Sequence, residues 1–158
     1  MQIISSEQLA KDKIYAFFIK QWGSSEMVIS SGVFDCTKLE GFAVLNKEGE
    51  LIGYITYIIF DNECEIISLD SLEEGKGIGT ALVQEVERVA KEKECEKVKL
   101  ITTNDNLHAL KFYQKRGYYL TALFKGAVEK AREWKPEIPK LGSDGIPVRD
   151  EILLSKSM

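Results

Sequence analysis

The chain has one histidine, three prolines and three cysteines. Cys36, Cys64 and Cys95 are odd in number and far apart, a pattern that excludes a disulfide framework and any CxxC metal or redox pair and points to a reducing compartment. A lone histidine excludes a histidine metal cluster and offers no Ser-His-Asp arrangement, so no metal is expected. There is no excess of positive charge: 21 Lys and Arg against 25 Asp and Glu give a net charge of −4, without the footprint of a nucleic-acid binder. No apolar run approaches the roughly 18 residues a membrane span requires, the longest being broken at Asp61 and Asn62. The N-terminus lacks a basic segment followed by an apolar stretch, so cytoplasm is the expected location. What remains, 44% hydrophobic and 29% charged residues in 158, is the balance of one globular domain over residues 1–158.

Apolar spacing orders the chain. Leu9, Ile14, Phe17 and Phe18 predict a helix over 7–21. A polar stretch through Ser24, Ser30, Ser31 and Gly32 follows. Phe42–Leu45 and Leu51–Ile59, joined through Asn46–Glu50, read as a hairpin, and Cys64–Leu69 continues it as an antiparallel meander. From Gly79 to Lys93 the period changes: Leu82, Val83, Val86, Val89 and Ala90 make one apolar stripe among charges, the mark of an amphipathic helix. Lys97–Thr103 alternates as a strand, and strand, helix, strand over 64–103 predicts a right-handed parallel crossover. Asn104-Asp105-Asn106 is a helix start, Leu107–Arg116 a short helix stopped at Gly117, and Tyr118–Phe124 a strand. A helix over 127–135, a Pro- and Gly-rich loop and a last strand near Val148–Leu154 complete the chain.

The chemistry concentrates in Glu74-Gly75-Lys76-Gly77-Ile78-Gly79-Thr80-Ala81-Leu82, a glycine-rich turn between a strand and the strongest helix. Glycine permits positive φ and close backbone approach, and a helix's first turn presents unpaired N–H groups, so the turn suits phosphate. Two standard phosphate-loop patterns fail: Lys76 is not followed by Ser or Thr, and a dinucleotide fingerprint would need Gly or Ala at Thr80 or Leu82.

This turn, preceded by Ser68-Leu69-Asp70-Ser71-Leu72, resembles the acyl-CoA motif of the GNAT N-acetyltransferase superfamily. A second block, Asn106-Leu107-His108-Ala109-Leu110-Lys111-Phe112-Tyr113-Gln114-Lys115-Arg116-Gly117-Tyr118, is similar to that family's downstream helix, Asn-x-x-Ala-x-x-Phe-Tyr-x-x-x-Gly-Phe/Tyr. The resemblance implies a mixed α/β fold: a mostly antiparallel sheet of six or seven strands flanked by helices, its parallel strands splayed to form the acyl-CoA cleft. It implies an acetyl-CoA-dependent N-acetyltransferase acting by direct transfer to a primary amine of a small molecule or peptide, with acetyl-CoA as cosubstrate and a homodimer as the expected assembly. The residues it assigns to acetyl-CoA are Leu69, Ser71, Glu74, Gly75, Lys76, Gly77, Ile78, Gly79, Thr80, Asn104, Asn106, Ala109, Phe112 and Tyr113.

Acetyl transfer from a thioester needs a neutral amine, stabilisation of the oxyanion and a proton for the departing thiolate. By resemblance Tyr113 is the general acid, and the backbone N–H of Leu69 polarises the carbonyl. Glu65, placed by two-residue alternation on the face of Ile67 and Leu69 and opposite Asp70, is read either as the base or as a solvated edge carboxylate. Glu74 departs from the family's Gln or Arg and would repel a pyrophosphate if it pointed inward. Together with the open question of the base, it motivates an alternative, a non-catalytic acyl-CoA-binding or sensing module. His108 is expected on an exposed surface, and the cysteines are expected to be buried. Over 126–150, Trp134, Arg132, Arg149 and Asp150 either recognise a charged small molecule or belong to a capping helix and surface loop with Trp134 in the core.

Overall fold

The computed structural model describes all residues 1–158. Its fold is mixed α/β: seven strands in a main sheet, four helices and a separate two-stranded ribbon. Two compact units divide the chain, one of Met1–Met27, Phe34–Val98 and Met158, the other of Val28–Val33 and Lys99–Ser157.

In the first unit the antiparallel strands β1 (Ile3–Ser5), β4 (Glu40–Leu45), β5 (Leu51–Phe60) and β6 (Glu63–Ser71) lie in the order β1-β4-β5-β6. The hairpin and meander thus form where the alternation put them. Helix α1 (Lys11–Trp22) packs on one face, Phe17 and Phe18 meeting Tyr54 edge-on at 6.1 and 5.7 Å. It starts four residues later than the apolar spacing suggests, because Ser6–Gln8 forms a short 3-10 turn whose N-terminus the Ser5 hydroxyl caps. Helix α2 (Ile78–Glu92) covers the other face with Ile78, Leu82, Val83, Val86 and Ala90 buried, as its stripe requires. Ile78 and Leu82 fill the space a Cβ would need at Gly53 of β5. At Gly41 a Cβ would collide with the Ile55 carbonyl oxygen, a backbone atom that cannot swing aside. Gly41→Ala should therefore cost about 2 kcal/mol or more, read as a lowered midpoint in denaturant titration with an unchanged slope.

One detail of β6 is invisible to alternation. Its register against β5 pairs Thr56 with Ser68 but Tyr57 with Ile66, leaving Ile67 as an extra residue in a β-bulge. Facing residues of an antiparallel pair share a side of the sheet. Asp70 and Ser68, opposite Tyr54 and Thr56, therefore lie on the α1 face, and so does Glu65, opposite Ile58.

The second unit contains the body of β7 (Lys97–Thr103), then α3 (Leu107–Lys115), β8 (Tyr119–Phe124), α4 (Ala127–Trp134) and β9 (Glu151–Ser157), with strand order β7-β9-β8. β9 begins at Glu151, not Val148, because the preceding backbone bonds elsewhere: Val148 N–H donates to Lys140 O, and Arg149 O accepts from Val128 N–H. The stretch read as merely polar contributes the ribbon of β2 (Glu26–Ile29) and β3 (Gly32–Asp35). No helix is long and apolar enough to cross a membrane. All three cysteines are buried and free, and burial pushes the Cys36 thiol up to about 11 and Cys64 to about 12.

Candidate functional site

In the first unit the site is built by the end of β6 and the turn into α2. The Leu72 N–H donates to Ile52 O at 2.9 Å, so hydrogen-bonded pairs fall at Ile52/Leu72 and Tyr54/Asp70. The alternation then directs the N–H groups of Leu69 and Ser71 away from β5. Beyond Ser71 the chain turns through Gly75 and Gly77 at φ of +76° and +72°, backbone that side-chain-bearing residues rarely adopt. Nothing lies within 4 Å of where a Cβ would stand at either glycine. Gly77 is the N-cap of α2 and makes no side-chain cap hydrogen bond, so the amides of Ile78 and Gly79 enter the helix without a cap from that residue. Glu74 and Lys76 are exposed, and Lys76 reaches Glu73 at 3.7 Å, a surface contact of little energy.

Between Leu69 and Ser71, Asp70 turns its carboxylate to the α1 face, where Oδ2 accepts from the Trp22 indole N–H at 3.0 Å. Burial raises the Asp70 carboxyl above the usual range, and the indole hydrogen bond offsets part of that rise. Glu65 departs from the alternation reading in two ways. It is 4% exposed and so not a solvated edge group, and the bulge sets it on the face opposite Leu69, with Asp70.

In the second unit, Asn106 caps α3, its Oδ1 accepting from Ala109 N–H at 3.0 Å. Tyr113 is 5% exposed, its ring edge-on to Phe112 at 5.0 Å and to Tyr118 at 5.4 Å. The Arg116 guanidinium covers the Phe112 ring at 3.6 Å and donates to the Phe112 carbonyl. Asn104, assigned to acetyl-CoA by resemblance, spends its side-chain amide on the approach to β9: Oδ1 accepts from the N–H groups of Arg149 and Asp150, and Nδ2 donates to Pro147 O. His108 is exposed, stacked on Phe112.

The 126–150 segment overturns two readings. Trp134 is 76% exposed, the eight residues of α4 turning only Val128 and Ala131 inward. Arg132 is not available to a ligand, because its guanidinium donates to the carbonyls of Ile138, Pro139 and Val148. Asp150 accepts from Gly126 N–H at 2.8 Å and holds the start of α4. Sequence reasoning also missed Glu151, a carboxylate 2% exposed that accepts from both the N–H and the hydroxyl of Ser30. No group of three or more His, Cys, Asp or Glu side chains is arranged to hold a metal.

Comparison with known proteins places this geometry. The model of the acetyltransferase (GNAT) family matches residues 10–118. The uncharacterized protein YdhI of Bacillus subtilis (strain 168) is 58% identical over 156 residues, covering 99% of this chain and 98% of its own. A Bacillus subtilis acetyltransferase crystallised with CoA superposes with a TM-score of 0.70 at 18% identity, over 99% of this chain and 98% of its own. A GNAT family acetyltransferase from Elizabethkingia anophelis with acetyl-CoA bound gives a TM-score of 0.64 at 28% identity, over 77% and 78% of the two chains.

Proposed function

The chain belongs to the GNAT acetyltransferase family, and from that premise we propose that it transfers the acetyl group of acetyl-CoA directly to a primary amine. The observation that carries this reading is the Gly75–Gly79 turn: two left-handed glycines, open on the side where a Cβ would stand, feed a helix N-terminus with no side-chain cap. Backbone amides so arranged, beside the positive end of the helix dipole, suit a pyrophosphate. The exposed Glu74 has room to turn away from such a ligand.

Upstream of the turn, Leu69 N–H and Ser71 N–H are directed away from β5 and would bond the pantetheine arm and polarise the thioester carbonyl. Tyr113 is the assigned acid for the departing sulfur, with Asn106, Ala109 and Phe112 shaping its helix. Thiol and amide form together, so no acyl-enzyme is involved, and the acceptor is a primary amine on a small molecule or peptide.

The test is calorimetric titration with acetyl-CoA beside ATP, followed by thiol release in the presence of a panel of primary amines. We expect micromolar, selective acetyl-CoA binding and amine-dependent thiol release. Binding without release on every amine would replace the enzyme by an acyl-CoA sensor, and failure to bind acetyl-CoA would remove the reading altogether.

A further inference from the structure

Asp70 is a half-buried carboxylate without a cation. Its Oδ2 is held by the Trp22 indole, while no hydrogen bond or ion pair engages Oδ1. No charged neighbour contributes to the shift of its carboxyl, only burial and the indole. A carboxylate partly withdrawn from water without a counter-ion carries a desolvation cost, and a ligand that brings the missing charge offsets it. Trp22 itself is 45% exposed at the last position of α1, and an indole within reach of solvent can add a cation–π attraction to the charge of Asp70. Asp70 also lies between Leu69 and Ser71, the two residues whose N–H groups turn away from β5.

We propose that Asp70 and Trp22 form the receptor for the acceptor's ammonium group, with Asp70 Oδ1 as the base that takes its proton. This rests on the transferase reading above and adds a substrate class, an alkylammonium. An α-amine with a pKa of about 7.7 to 8.0 is neutral at roughly the ten-percent level at pH 7 and can dispense with a base; an alkylammonium near 10.4 is neutral in about one molecule in a few thousand and cannot. The ammonium gives one proton to Asp70 Oδ1. Its freed lone pair forms the C–N bond to the thioester carbonyl carbon, and the C–S bond breaks with its electron pair on sulfur. The second proton shed by nitrogen balances the one sulfur gains, and the proton on Asp70 passes to water.

Two signs separate this role from a structural one. Burial raises the Asp70 carboxyl, so ionising it costs stability, and that cost is incurred as the pH rises through the folded-state value. Asp70→Asn keeps an acceptor for the Trp22 indole without the charge, and it should leave Tm unchanged or raised. It should also lower kcat/KM for n-butylamine about ten- to a hundredfold and remove the acidic limb of the pH profile. The groups around Asp70 are the Trp22 indole from α1, Tyr54 opposite it on β5, held near 12, the Cys36 thiol, held near 11, and Glu65 further along the same face of β6.

The direct probe is the indole N–H resonance of Trp22, one of only two tryptophans, identified by its disappearance in Trp22→Phe, with exposed Trp134 as internal control. Adding n-butylammonium should shift the Trp22 resonance and spare that of Trp134, n-butanol should shift neither, and Asp70→Asn should abolish the response. A Trp22 resonance that ignores n-butylammonium overturns the proposal, as does one that responds equally in Asp70→Asn. So does a lower Tm in Asp70→Asn with unchanged kcat/KM. Failure of the transferase reading would look different, as loss of acetyl-CoA binding in the wild-type protein.

Discussion

Replacing Tyr113 with phenylalanine should lower kcat about a hundredfold or more and leave acetyl-CoA affinity intact, since general acid catalysis contributes some two to four orders of magnitude. The change removes one oxygen. The ring keeps its edge contacts with Phe112 and Tyr118, so the packing of α3 against its neighbours survives and Tm should hold to within about a degree or two. What disappears is the proton proposed for the sulfur. A phenol with a reference pKa of about 10 can protonate a thiolate whose thiol lies near 8.5 at a small thermodynamic cost, and in the proposed reaction it would do so as the C–S bond breaks. The control is Tyr118→Phe, which deletes the same atom from the neighbouring buried ring and should leave kcat within about twofold. Both variants must be compared under conditions where chemistry limits turnover, checked by single-turnover thiol release. Unchanged single-turnover rates in Tyr113→Phe would remove the assigned acid.

Some of this site was legible in the sequence because local chemistry determines it. The stripe of Leu82, Val83, Val86, Val89 and Ala90 demands one buried face, and α2 buries all of it except Val89, which is half-buried. Asn106 is a short acceptor before a helix, and it caps. Gly75 and Gly77 needed positive φ to make the turn, and they have it. What was not legible depends on partners distant in sequence. The bulge at Ile67 follows from how β6 registers on β5, and alternation cannot see an inserted residue, so Glu65 reads onto the face of Leu69 although it shares the face of Asp70. Asn104 looks like a free amide until the 147–150 backbone folds back onto it. Trp134 has the composition of a core residue, but α4 is too short for spacing to separate its buried face from its exposed one, and only the fold turns the indole outward. The β2–β3 ribbon was missed because its apolar runs, Met27–Ile29 and Val33–Phe34, are too short to show alternation and sit between Glu26, the Ser30-Ser31 turn and Asp35. Its anchor is a carboxylate more than a hundred positions away.

That anchor sets the last expectation. Glu151→Ala should destabilise the protein by about 3 kcal/mol, and Glu151→Gln by about 1 kcal/mol or less. Glu151 stands at the first position of β9, opposite Phe124 of β8, and its Oε1 accepts from Ser30 N–H at 2.8 Å and from Ser30 Oγ at 2.6 Å. Ser30 and Ser31 make the turn of the ribbon, where a backbone N–H has no strand partner and must bond to a side chain or to water. Alanine removes the acceptor from both Ser30 donors, losing two charge-assisted bonds together, and leaves a cavity where the buried Glu151 side chain stood. Glutamine keeps an acceptor oxygen of the same reach. The order Glu, Gln, Ala in urea midpoint, with an unchanged slope, is the expected result. Ser30→Ala deletes only the hydroxyl arm and should fall between Gln and Ala. A double variant, Ser30→Ala with Glu151→Ala, should then cost less than the sum of the two single changes, because each removes a partner the other has already lost. Additive losses would mean that the two residues stabilise the protein independently, and the ribbon would need another anchor.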